Sequence, residues 1–122
     1  MVKSYAITDI GQKRKLNQDF IYLSDTAIGN LPNVFIVADG MGGHNAGDYA
    51  SRYAVETVVN EIGISFEKNP MKIIGKAIEK ANTLIREKAR EDAALNGMGT
   101  TMVIATCMGK YLEVANVGDS RL

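Results

Sequence analysis

The 122-residue sequence has one cysteine, one histidine, two prolines and no net charge, with 14 basic against 14 acidic side chains. One cysteine, Cys107, permits no intrachain disulfide, and a reducing cytoplasm is its simplest compartment. It sits in the apolar run MVIATCM and reads as a small buried hydrophobe. Balanced charge disfavours a dedicated nucleic-acid binder, which usually carries a basic surplus, so no nucleic-acid partner is expected. No apolar run approaches the ~20 residues of a membrane span. Met1 to Ile10 lacks the apolar core of a secretory signal, so no membrane partner is expected either. His44 and one distant cysteine make no zinc site, and His44 reads as a loop hydrogen-bonder. No Gly-Lys-Ser or Gly-Lys-Thr occurs, which excludes a P-loop. Gly40-Met41-Gly42-Gly43-His44-Asn45 puts Asn45 where a dinucleotide fingerprint needs its last Gly or Ala.

What is present is ordinary for a globular chain: 46% apolar and 23% charged residues, in a length that fits one domain with a modest core. Tyr5 to Ile7 and Phe20 to Leu23 are short apolar runs. Val34 to Ala38 is β-branched and aromatic, bounded by Pro32 and Gly40, and reads as a buried strand. After a Gly-rich loop, Gly40 to Gly47, the positions Ala46, Ala50, Tyr53, Ala54, Val58 and Ile62 give a helix one apolar face, with Gly63 as its stop. Asn69 and Pro70 read as N-cap and first residue of a second helix. Its stripe is Ile74, Ala77, Ile78, Ala81, Ile85 and Ala89, and Asn96-Gly97 marks its end. Thr100 to Met108, a tight turn at Gly109-Lys110, and Tyr111 to Val117 form a hairpin. The order βββααββ predicts an α+β fold with antiparallel pairing.

Three acids stand at the edges of apolar strands. Asp39 follows Val34 to Ala38, and Gly40 lets a backbone carbonyl turn in beside it. Two hard oxygen donors on adjacent residues suit Mg²⁺ or Mn²⁺. An Asp that merely caps a turn before a helix accounts for the segment equally well. Asp19 follows Arg14, whose guanidinium can grip phosphate bidentately or simply pair with an acid at the surface. Asp119, after Gly118, ends the last strand. Three such acids make a stronger case than any one of them.

Together, Arg14…Asn17-Gln18-Asp19, Val37-Ala38-Asp39-Gly40-Met41-Gly42-Gly43-His44…Ala46-Gly47, Gly97-Met98-Gly99-Thr100-Thr101 and Asn116-Val117-Gly118-Asp119-Ser120-Arg121 resemble the metal-dependent serine/threonine protein phosphatases of the PP2C (PPM) family. The bacterial Stp/PrpC-type branch is the nearest match. The resemblance implies an antiparallel β-sandwich flanked by helix pairs. It also implies a binuclear Mn²⁺ or Mg²⁺ centre that hydrolyses phosphoserine and phosphothreonine on proteins with a metal-activated water. The substrates would be targets of a Ser/Thr protein kinase. Asp39 matches the bridging carboxylate, Gly40 the carbonyl ligand, Asp19 a metal-binding acid and Arg14 the phosphate-binding arginine. Asp119 resembles the acid that helps hold a third, weaker metal. Gln18 stands where many eukaryotic members carry Glu, and Met41 where some carry a His. The family's catalytic domain is about twice this length, and its Ser-Asp-Gly and Asp-Asn metal motifs have no counterpart here. Residues 1–122 therefore correspond to the N-terminal half of such a domain. Such a piece is expected to be a poor phosphatase alone and to self-associate through an exposed sheet edge. The alternative is a non-catalytic metal-binding or regulatory fragment of the same fold.

Overall fold

The computed structural model describes residues 19–42, 46–95 and 97–121. Their elements are β1 (Asp19–Ser24), β2 (Val34–Met41), α1 (Ala46–Ile64), α2 (Pro70–Glu91), a 3₁₀ turn (Ala93–Leu95), β3 (Gly99–Met108) and β4 (Tyr111–Arg121). The strands form one antiparallel sheet in the order β1-β2-β3-β4. This is the expected α+β layout, with the helix pair inserted between β2 and β3. The expected strand at Tyr5 to Ile7 lies outside the described residues.

Side-chain alternation decides which face of the sheet is covered. Val34, Ile36 and Ala38 of β2 are buried, as are Met102 and Ile104 of β3. Their neighbours Val37 and Val103 are 44% and 42% exposed. Period-two burial of this kind marks a sheet packed on one side. The packed side meets Ala50, Ala54, Val58 and Ile62 of α1 and Ile74, Ala77, Ala81 and Ile85 of α2 in one core. The other side carries Val37, Val103, Leu112 and Val114 at or above 42% exposure. No described helix is long and apolar enough to cross a membrane.

The local signals worked where their chemistry is self-contained. Asn69 caps α2, its side chain accepting from the N–H groups of Met71 and Lys72 at 3.0 and 3.3 Å, with Pro70 in the first turn. Gly109 adopts φ 65°, which both favoured two-residue hairpin turns require at their first position. Helix α2 ends at Glu91, before the Asn96-Gly97 stop expected from the sequence, and the Asp92 N–H still donates to Lys88 O at 3.2 Å. Asp92 then accepts from the Ala94 N–H, a local alternative to continuing the helix. Gly63 does not stop α1, which runs to Ile64. Cys107 is half-buried rather than buried, because strand alternation puts it on the less covered side.

At the end of the sheet away from Asp39, Asn33 acts as a clamp. Its carboxamide donates to Cys107 O at 2.9 Å and accepts from Cys107 N–H at 2.7 Å. Its carbonyl accepts from the Thr106 hydroxyl at 2.7 Å. A buried polar side chain of this kind is tolerated because its bonding capacity is used.

Candidate metal centre

Strand β2 continues three residues past its β-branched run. Asp39, Gly40 and Met41 are ladder residues paired with Thr101, Thr100 and Gly99 of β3. Asp39 therefore lies within the strand, a correction to its expected place just beyond the strand end. The cause is non-local, because the β3 backbone supplies partners that the apolar pattern does not announce. Asp39 is exposed and alternates onto the open side of the sheet with Val37.

On its other flank Asp39 stands in register with Asp19, the first residue of β1. Directly opposed residues of antiparallel strands have Cα atoms about 4.5–5.5 Å apart, and like charges in such pairs are destabilising. An acid pair in register across a ladder is thus costly unless a cation sits with it. Among the described residues Asp39 forms no ion pair.

Strand β4 completes the row by an irregularity. Thr100 pairs with Ser120 and Met102 with Val117, so Gly118 and Asp119 together oppose Thr101. This two-against-one count is a β-bulge. Continuing the Met102–Val117 register without a shift would set Asp119 against Thr100, on the helix-side row. The shift instead puts it in the row of Thr101 and Asp39. Asp119 thus lies inside β4, not at the strand end where it was expected. Asp19, Asp39 and Asp119 occupy one row across the sheet, with Asp119 two strand spacings from Asp39, about 10 Å.

The donor chemistry of this row and of the adjoining Gly40 fits a hard divalent cation: carboxylates and a glycine carbonyl, with no sulfur or imidazole among them. Among the described residues no three His, Cys, Asp or Glu side chains cluster as a metal site, so the fit rests on backbone register and donor type. Arg14, Gln18 and His44 lie outside the described residues.

Two further residues, Gly42 and Thr100, shape the backbone around the row. Gly42 has φ 147°, and a Cβ built there would lie 2.9 Å from Ala46 Cβ and 3.3 Å from Met98 Cα. Gly42 therefore lies close against both the start of α1 and the approach to β3. Thr100 is 2% exposed, and its hydroxyl lies 3.2 Å from Asp39 O and 2.8 Å from Thr101 O. The motif Gly97–Thr101 was visible in the sequence, but a register partner for Thr100 was not.

The family model for protein phosphatase 2C matches residues 11–122. The serine/threonine phosphatase stp of Listeria innocua is 40% identical over 118 residues, covering 93% of this chain and 46% of that protein. The solved S. agalactiae serine/threonine phosphatase superposes with a TM-score of 0.72 at 33% identity, over 88% of this chain and 45% of that one. The catalytic domain of the phosphatase PstP, solved in complex with 2 manganese ions, gives a TM-score of 0.69 at 25% identity, over 84% of this chain and 41% of that one. The chain spans about half the length of the curated relatives it matches. A family match along most of the sequence and like architecture in solved phosphatases agree: the chain belongs to the protein phosphatase 2C family.

Proposed function

We propose that residues 1–122 form part of the catalytic domain of a metal-dependent serine/threonine protein phosphatase. Its substrates would be phosphoserine and phosphothreonine on proteins modified by a Ser/Thr kinase. The observation that carries this reading is the register row in which Asp19 directly opposes Asp39 and a bulge brings Asp119 into line. Its phosphatase relatives support it.

In this reading Asp39, Gly40 and Asp19 hold manganese or magnesium ions, and Asp119, two strands away, serves an accessory third ion. Two divalent cations, when bound, supply Lewis acidity and make water nucleophilic at neutral pH. The chain's own residues position that chemistry. Asp39 and Asp19, in register on neighbouring strands, would supply negative charge to the cations, and the ladder fixes the spacing of these two residues. Arg14 is a permanent cation, cannot ligate metal, and would orient the phosphate oxygens through its planar fork. The proposed compartment is the cytoplasm, where the lone thiol of Cys107 stays reduced. Self-association is proposed through β4, the edge strand among the described residues, which bears exposed Tyr111, Leu112 and Val114, because unpaired edges recruit strands.

The test is phosphate release from phosphothreonine peptides as Mn²⁺ is titrated, in wild type, Arg14→Ala and Asp39→Asn. Mn²⁺-dependent release is expected. Asp39→Asn should abolish it and Arg14→Ala should raise KM. Undiminished release from Asp39→Asn would contradict the reading. Metal binding with no release from wild type would make the chain a metal-holding fragment instead.

A further inference from the structure

The motif Gly97-Met98-Gly99-Thr100-Thr101 has no role in the chemistry above, yet it places a buried hydroxyl directly under the metal row. We propose that Thr100 is a positioning residue that sets the orientation of the Asp39–Gly40 peptide and thereby tunes the affinity of the centre for its cation. This rests on the reading that Asp39 and Gly40 are metal donors.

Thr100 is the register partner of Gly40. It is 2% exposed, so water does not compete for its hydroxyl. That hydroxyl carries one proton and faces two acceptors, Thr101 O at 2.8 Å and Asp39 O at 3.2 Å. Asp39 and Thr101 are themselves register partners. One hydroxyl therefore sits between the carbonyls of the pair at the middle of the acid row.

The lever is peptide planarity. The Asp39 carbonyl and the Gly40 nitrogen lie in one rigid plane, so holding the carbonyl aims the chain as it enters Gly40. Glycine imposes little restraint of its own, and the carbonyl it presents must be aimed from outside. Hard cations, magnesium above all, are exacting about donor geometry. Groups that orient ligands without touching the metal commonly alter metal affinity.

Removing the hydroxyl while keeping the shape, Thr100→Val, should weaken Mn²⁺ binding about fivefold, the equivalent of one ordinary hydrogen bond. Thr100→Ser keeps the hydroxyl and should bind within about twofold of wild type. The control for general loosening of β3 is Thr106→Val. Thr106 is fully buried and donates to Asn33 O at 2.7 Å, but it sits six residues along the strand, about 20 Å away. It should lower the melting temperature and leave Mn²⁺ affinity unchanged.

The experiment is Mn²⁺ titration by calorimetry on the full chain, with melting temperatures of the metal-free proteins alongside. Asp39→Asn is included to test the underlying reading. If Asp39→Asn binds Mn²⁺ like wild type, the metal assignment itself fails. If Asp39→Asn loses binding while Thr100→Val matches wild type, the Thr100 role alone is overturned. Equal weakening in Thr106→Val, or in Thr100→Ser, also overturns it, because packing would then be the cause. Should Thr100→Val not fold, a Mg²⁺ titration of wild type followed by NMR decides. A shared midpoint for the Thr100 methyl and Gly40 amide signals supports the role, and a Thr100 methyl that does not respond refutes it.

Discussion

Gly42 and Gly75 should respond to the same substitution with opposite signs. At Gly42, alanine meets two costs. Its φ of 147° is a region that L-residues rarely occupy, worth about 1–3 kcal/mol. The added Cβ would also fall 2.9 Å from Ala46 Cβ, 3.2 Å from Gly47 N and 3.3 Å from Met98 Cα. Two of those three atoms are backbone, so relief requires α1 or the approach to β3 to shift, and overpacking of this kind costs about 1–3 kcal/mol. Gly42→Ala should therefore destabilise by about 3 kcal/mol, or about 12 °C in melting temperature for a domain of this size. Gly75 is exposed within α2, and a Cβ there meets nothing within 4 Å. Gly75→Ala should stabilise by about 0.5–1 kcal/mol by removing backbone freedom from the unfolded chain. The assay is urea denaturation followed by far-UV circular dichroism. A neutral Gly42→Ala, or a destabilising Gly75→Ala, would refute the reasoning.

Other outcomes follow from single contacts. Asn33→Ala strips both main-chain bonds to Cys107 and should cost about 2 kcal/mol, read as a lower urea midpoint; an unchanged midpoint would contradict the clamp. Asn69→Ala removes the α2 cap and should cost about 1 kcal/mol, measured in the same way. Glu67 has its pKa lowered below the ordinary 4.5, first by the Asn69 N–H and then by the Lys68 N–H, with Lys72 and Lys76 adding attraction. The stability it lends is thus full above 4.5 and lost as pH falls below it. Glu67→Gln should flatten that acid limb of the stability–pH curve, and an unaltered limb would remove Glu67 as its source. Leu112→Lys with Val114→Lys should shift sedimentation toward monomer if the β4 edge mediates association; an unchanged distribution would point elsewhere.

Local chemistry was readable from the sequence wherever a residue's partners lie within a turn of it. Asn69 and Pro70 announce α2, the Val34 to Ala38 run announces β2, and Gly109-Lys110 announces the hairpin. Errors arose where partners are distant. Asp39, Gly40 and Met41 look like loop residues because their strand character comes from Thr101, Thr100 and Gly99, some sixty positions away. The bulge at Gly118-Asp119 is likewise a property of the β3–β4 pairing and has no local signature beyond a glycine. Asp92 ended α2 early because a side chain that can bond its own backbone competes with the helix. For the candidate site, the acids were visible in the sequence, but their shared row is a matter of register.

The central claim is that Asp39, held opposite Asp19, is the principal metal donor. It is tested most directly by Mn²⁺ stoichiometry and affinity on wild type, Asp19→Asn, Asp39→Asn and Asp119→Asn. The account predicts that Asp39→Asn loses most Mn²⁺ binding, Asp19→Asn weakens it, and Asp119→Asn removes only a weak accessory site. Superimposable isotherms for wild type and Asp39→Asn would contradict it.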